Sequence, residues 1–173
     1  MTNSDTQWKE TLSDGTPVLI RPIRQDDAER EREFIEALSP QSRYFRFLQD
    51  LKSPSPELIR RFTDIDQQHD VAFVALLGGN GATRQIGVSR YSVEADGASA
   101  ECAVVVADAY QHKGLGTLLM RHLIEHARAR GVKQLFSLDS ANNLSMGEFA
   151  EYLGFRCERN PDDATMVVHR LHL

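Results

Sequence analysis

The chain has 173 residues, 41% of them hydrophobic, with 20 basic against 25 acidic side chains and a formal net charge of −5. That length buries a core without disulfide or metal staples, and the acidic balance excludes a dedicated nucleic-acid binder, which needs a basic face to displace counterions. Met1 to Glu10 carry no apolar core of a signal peptide, and no later run approaches the ~20 apolar residues of a membrane span, so a soluble, cytoplasmic protein with no membrane partner is expected. An amine or a basic protein surface is the natural partner for such a charge. The two cysteines, Cys102 and Cys157, stand in β-like segments far from any metal-ligand spacing and read as buried free thiols in a reducing compartment.

Residues 1–15 read as an N-terminal extension and residues 16–173 as one domain. Thr16 to Ile23 alternates enough for a first strand, and Gln25-Asp26-Asp27 then caps a helix from Ala28 to Leu38. Pro40 opens a short helix to about Leu48, and Ser53-Pro54-Ser55-Pro56 breaks the chain before a third helix from Glu57 to about Thr63. Val71 to Leu77 reads as a strand, Gly78-Gly79-Asn80-Gly81 as a flexible turn, and Gln85 to Glu94 as the next strand. The Asp96-Gly97 hairpin returns Ser99 to Val106 antiparallel to it. Gly114 to Arg130 places Leu115, Leu118, Leu119, Leu123 and Ala127 at helical spacing and stops at Gly131. As a crossover it makes Gln134 to Leu138 parallel to Ser99 to Val106. Asn142 to Leu153 is the last helix, and Gly154 to Cys157 closes with Thr165 to Leu171 as a hairpin. The expected fold class is α/β (α+β): helices on both faces of a mixed, mostly antiparallel sheet of about seven strands.

The chemistry concentrates in one stretch. Val104-Val105-Val106 is a β-branched run, Gln111-His112-Lys113 a polar turn, and Gly114-Leu115-Gly116-Thr117 a glycine-punctuated helix start. Small side chains let backbone come close there, and the free N–H groups of a helix N-terminus suit phosphate oxygens. A tight turn without ligand is the plainer reading of any strand–glycine–helix junction. A Walker loop is excluded because Lys113 precedes Gly114 rather than standing before Ser or Thr, and a dinucleotide fingerprint because Leu119 occupies its third glycine position.

The order Gln-x-x-Gly-x-Gly, behind a valine strand and ahead of Thr-Leu-Leu-Met, resembles the coenzyme A pyrophosphate loop of the GNAT acyltransferase superfamily. Three further segments are similar to the N-terminal half of bacterial Pat-type protein lysine acetyltransferases: Arg21-Pro22-Ile23-Arg24-x-x-Asp27, Leu38-Ser39-Pro40-x-Ser42-Arg43-Tyr44-x-Arg46-Phe47 and Phe62-x-x-Ile65-Asp66. The resemblance implies an acetyl-CoA-dependent N-acetyltransferase working by direct attack, with a protein lysine as first-choice acceptor. A small-molecule amine or amino-acid acetyltransferase, and a catalytically silent acyl-CoA-binding sensor, stay open beside it, as does a homodimer. Pat-type proteins often join this domain to a nucleotide-sensing or synthetase-like partner; the chain ends two strands after its last helix, so no such regulator is expected here.

By the same resemblance Glu101 is the general base, with a solvated strand residue paired to Arg90 as the alternative reading. Val104 or Val105 supplies a backbone N–H to the developing oxyanion, Val104 and Val106 line the pantetheine arm, and residues 111–117 hold the pyrophosphate. Lys113 adds a charge there or does nothing specific. Asn143 matches an asparagine that binds pantetheine or caps the last helix. Where many relatives carry a tyrosine acid, five residues before Phe155, this chain has Ala150, and Tyr152 lies on another side of the helix.

His122-Leu123-Ile124-Glu125-His126 formally matches an inverted zincin motif, yet its helix must bury Leu118, Leu119, Leu123 and Ala127, so no metal is expected. Arg121, Arg128 and Arg130 read as a solvated basic helix end. Alternation places Cys102 on the opposite sheet face from Glu101, which argues against an acyl-cysteine.

Overall fold

The computed structural model describes residues 6–78 and 83–173. The start of the expected extension, residues 1–5, and the Gly79-Asn80-Gly81 part of the expected turn lie outside the described residues.

Among the described residues eight strands form one sheet: β1 (Trp8–Thr11), β2 (Pro17–Pro22), β3 (Asp70–Leu77), β4 (Arg84–Val93), β5 (Ser99–Val106), β6 (Gln134–Ser140), β7 (Arg156–Arg159) and β8 (Met166–His172). Their order is β1-β2-β3-β4-β5-β6-β8-β7, antiparallel at every boundary except β5–β6. The helices are α1 (Ala28–Ala37), α2 (Pro40–Phe47), α3 (Pro56–Thr63), α4 (Leu115–Ala129) and α5 (Leu144–Tyr152).

The sheet therefore has one strand more than expected. The addition is β1, whose Trp-Lys-Glu-Thr sequence is too short and too polar to announce a strand, and which lies within the segment read as an extension. Tertiary contacts hold it: Trp8 stacks on His122 at 4.1 Å and meets Phe73 edge-on at 5.1 Å. Among the described residues, no helix is long and apolar enough to cross a membrane.

Two neighbours on β4 show how the sheet divides the helices. Ser89 Oγ donates to the Leu119 carbonyl of α4 at 3.3 Å, while the Arg90 guanidinium reaches Glu31 of α1 at 3.4 Å on the opposite face. On the α4 face Leu115, Leu119, Leu123 and Ala127 are fully buried. Gly87 lets that helix settle, since a Cβ there would stand 2.9 Å from Leu119 Cδ1.

The entry to α1 is fixed by a buried ion pair. Arg21 at the end of β2 meets both carboxylate oxygens of Asp27 at 2.7 Å, and Asp27 also accepts the Arg24 backbone N–H at 2.8 Å and an N–H of Arg30 at 3.0 Å. Asp27 is wholly buried. Desolvation alone would raise its pKa, but the Arg21 and Arg24 hydrogen bonds and the charges of Arg21 and Arg30 outweigh it and hold the carboxyl below the usual range.

Removing the carboxylate with Asp27→Ala strands the Arg21 charge in the core and is expected to cost about 3–5 kcal/mol of unfolding free energy by chemical denaturation. Because the folded pKa is lowered, the stability this group contributes is present above the unfolded carboxylate value of ~3.9 and is lost as pH falls through the folded one. The acid limb of the wild-type stability curve is expected to flatten in the variant.

Candidate active site

β5 and β6 each run seven or eight residues, yet they pair only over Ser99–Gln134, Ala100–Leu135 and Glu101–Phe136. Beyond Glu101 they part. Each keeps its other neighbour, β5 along β4 as far as the Gly87–Val106 pair and β6 along β8 as far as Ser140–Met166. The result is a wedge in the middle of the sheet, opening into a cleft of about 560 Å³.

Alternation decides which backbone groups of β5 face the wedge. Ala107 N–H donates to Ile86 and Glu94 N–H to Ser99, so odd-numbered residues of β5 bond β4 and even-numbered ones turn their N–H and C=O toward the gap. Val104 and Val106 thus offer backbone groups to the cleft, whereas those of Val105 are turned toward β4. All three valines line the cleft with part of their surface. Glu101, exposed at the apex of the wedge, lines it too.

After β5 a turn of 3-10 helix, Asp108–Tyr110, leads into the polar loop. Gln111 donates a side-chain N–H to the Val106 carbonyl at 3.2 Å, pinning the loop to the strand end. His112 (φ 60) and Gly114 (φ 86) both take left-handed backbone. The first intrahelical bond of α4 runs from Leu118 N–H to Gly114, leaving the amides of Leu115, Gly116 and Thr117 without a partner in the helix. A Cβ on Gly116 would meet the Phe149 ring at 3.2 Å, so a side chain there would have to push that ring aside.

Gln111, His112, Gly114, Gly116 and Thr117 all line the cleft. Two of the expected loop residues do not. Leu115 is buried in the core, and the Lys113 ammonium sits 3.0 Å from Asp14 and over the Tyr110 ring. Asn143 caps α5, its Oδ1 accepting the Met146 N–H at 3.2 Å, and it also lines the cleft. Ala150 is buried at the cleft wall and Tyr152 is exposed away from it.

On the far side of the apex α2 closes the cleft with Phe45, Arg46 and Phe47. A clamp absent from the sequence reading holds this helix: Asp108 accepts the Ser39 N–H at 2.9 Å and the Ser39 and Ser42 hydroxyls at 2.8 Å. Arg46 lies over the Phe47 and Phe62 rings at 5.0 and 5.8 Å, and burial with the nearby Arg90 charge brings its pKa down to about 10. Arg90 itself serves Glu31 and not Glu101. A second buried group was also missed: His169 Nδ1 lies 2.8 Å from Asp139, both in the cleft wall.

The histidines of the zincin-like motif have partners of their own. His122 bonds Glu10 at 2.7 Å and His126 bonds the Tyr91 hydroxyl at 2.9 Å. Cys102 is buried on the face opposite Glu101, and Cys157 is exposed rather than buried as expected. The reason is topological: β8 inserts between β6 and β7, leaving Cys157 on the edge strand.

A family model described as the acetyltransferase (GNAT) family matches residues 29–155. An acetyltransferase of Pseudomonas aeruginosa is 51% identical over 166 residues, 96% of this chain and 89% of that protein. The acetyltransferase Pat of Mycolicibacterium smegmatis is 29% identical over 136 residues, which are 78% of this chain and 40% of Pat. The crystal structure of the GNAT domain of S. lividans PAT superposes with a TM-score of 0.89 at 30% identity, over 96% of this chain and 97% of that one.

Burial pushes the Cys102 thiol up to about 12, with the Asp139 and Glu101 charges acting in the same direction. A thiol-reactive probe at neutral pH is therefore expected to modify one cysteine, Cys157, in the native protein and both after denaturation, as read by mass spectrometry.

Proposed function

This chain belongs to the GNAT acetyltransferase family, and on that footing we propose that it transfers acetyl from acetyl-CoA directly to a protein lysine in the cytoplasm, with Glu101 as general base. The observation that carries the reading is the parting of β5 from β6 immediately after Glu101. It brings an exposed carboxylate, an unpaired stretch of strand backbone and a glycine-built helix start into one cleft.

The parts divide the work. A pantetheine arm has amides spaced like a peptide, and the gap-facing groups of Val104 with the Val106 N–H can pair with them as an added strand would. The pyrophosphate then reaches the loop of Gln111, His112, Gly114, Gly116 and Thr117 at the positive end of α4. The fit is one of backbone donors to phosphate, and Lys113 and Leu115 contribute chain path more than contact. Likeness to Pat proteins supports a lysine acceptor approaching past α2, where Phe45, Arg46 and Phe47 form the wall.

A lysine ammonium with pKa ~10.4 is neutral about once in a thousand near pH 7.4, so attack needs a proton acceptor. Glu101 takes that proton directly or through a water. The nitrogen adds to the thioester carbonyl, and the Val104 N–H stabilises the oxyanion where it forms. Collapse expels the thiolate, whose conjugate thiol has pKa ~8.5.

Glu101→Gln keeps the size and loses the base. We expect it to lower kcat by ~10²–10⁴ while leaving acetyl-CoA affinity within about twofold, read by calorimetry and continuous thiol release. Unchanged turnover would remove Glu101 from the mechanism. Thiol release with lysine-containing protein and none with a panel of small amines is the expected pattern; the reverse pattern would move the acceptor to metabolites.

A further inference from the structure

We propose that His169, held by Asp139, is the general acid that protonates the sulfur leaving group. The proposal rests on the reading of the cleft as an acetyl-CoA site. Four observations lead to it.

The first is place. Ser137, the first β6 residue beyond the pairing with β5, lies opposite His169 in the β6–β8 register. His169 therefore stands one strand behind the apex of the wedge, in the wall of the same cleft as Glu101. The second is restraint. Asp139 accepts from His169 Nδ1 at 2.8 Å and from the Ser137 hydroxyl through the same oxygen, which fixes the ring. The third is the other ring nitrogen: His169 is 2% exposed, and its Nε2 is buried with no hydrogen-bond partner. Buried polar atoms are nearly always paired, and among the described residues this one has no partner.

The fourth is direction. Glu101 shares a sheet face with its register partner Phe136, so Ser137, Asp139 and His169 lie on the other face, with Cys102. The apex opens between the two faces. A thioester carbonyl lodged there has a base on one side for the entering nitrogen and an imidazole on the other for the departing sulfur. α5 turns Ser145, Met146, Phe149 and Ala150 to the cleft, none of them an ionisable donor, and its Glu148 and Glu151 are exposed. The remaining ionisable groups around the ring are Asp139, Cys102 on β5 and Cys157, its register partner on β7, and the Asp139 charge is felt by Arg46 of α2 across the cleft.

The protons balance. With both nitrogens protonated, the ring donates Nδ1–H to Asp139 and presents Nε2–H. As the new C–N bond forms and the C–S bond breaks, the electron pair goes to sulfur, which takes the Nε2 proton. The ammonium sheds two protons in becoming an amide; one leaves through Glu101 to solvent and the other, by way of solvent, restores the imidazolium.

The test begins with the unaltered protein. Imidazole nitrogen resonances are followed by NMR during titration with CoA and, separately, with desulfo-CoA. We expect His169 Nε2 to respond to CoA and not to desulfo-CoA. Equal response to both, or none to either despite binding, overturns the proposal, and failure of CoA to bind overturns the reading of the cleft as well. In kinetics, His169→Gln is expected to lower kcat by ~10²-fold, with KM for acetyl-CoA within about twofold, and to abolish the descending limb of the kcat–pH profile. Glu101→Gln is expected to remove the ascending limb instead. A His169→Gln protein with kcat within twofold of wild type, or with its descending limb unmoved, sinks the assignment. Should that variant not fold, Asp139→Asn takes its place: losing the anion is expected to shift the limb to lower pH, and an unshifted limb counts against the proposal.

Discussion

Three rungs of parallel pairing between β5 and β6 set the terms for the rest of the molecule. A parallel pair requires a crossover, and α4 supplies it, so the helix that must follow β5 begins at the mouth of the gap that β5 leaves. The gap survives because neither strand depends on the other. Each has a full antiparallel partner, and only the facing edges go unpaired. Unpaired strand edge is a liability in most proteins. Here α2, α5 and the polar loop roof it over, and what remains accessible is a slot with backbone donors and acceptors down one side.

The site is held from several directions by groups that take no part in chemistry. Asp108 joins the start of α2 to the turn after β5, so the helix on one wall of the cleft is tied to the loop on the other. Its pKa is lowered by those hydrogen bonds, against desolvation that works the other way. Gln111 ties the loop back to Val106, and the Arg21–Asp27 pair anchors the first helix to the sheet's other half. Gly116 leaves room for the Phe149 ring where α4 and α5 meet.

What the sequence declared and what it concealed divide along the range of the interactions. The valine run, the glycine loop and the start of α4 were legible because strand, turn and helix start are fixed by neighbours within a few residues. The same holds for the Asp96-Gly97 hairpin, where Gly97 takes φ 70. The expectation that backbone at Val104 or Val105 faces the gap narrows to Val104 once the register is known. Lys113 could not be placed beforehand because its partner, Asp14, comes from a distant turn. Asp139 and His169 stand 30 residues apart and meet only because β8 enters between β6 and β7. The Ser39–Asp108 contact spans 69 residues and has no local signature at all.

The thinness of that central seam has a mechanical consequence. The sheet is two blocks, β1 to β5 and β6 with β8 and β7, sewn together at three residue pairs. Anything lying along the slot touches both blocks and acts as additional stitching. Its binding free energy then enters the cohesion of the whole domain, about 2.7 kcal/mol at a hundred times its dissociation constant. A ligand lying there would complete a seam that the polypeptide leaves open and lend the sheet part of its rigidity.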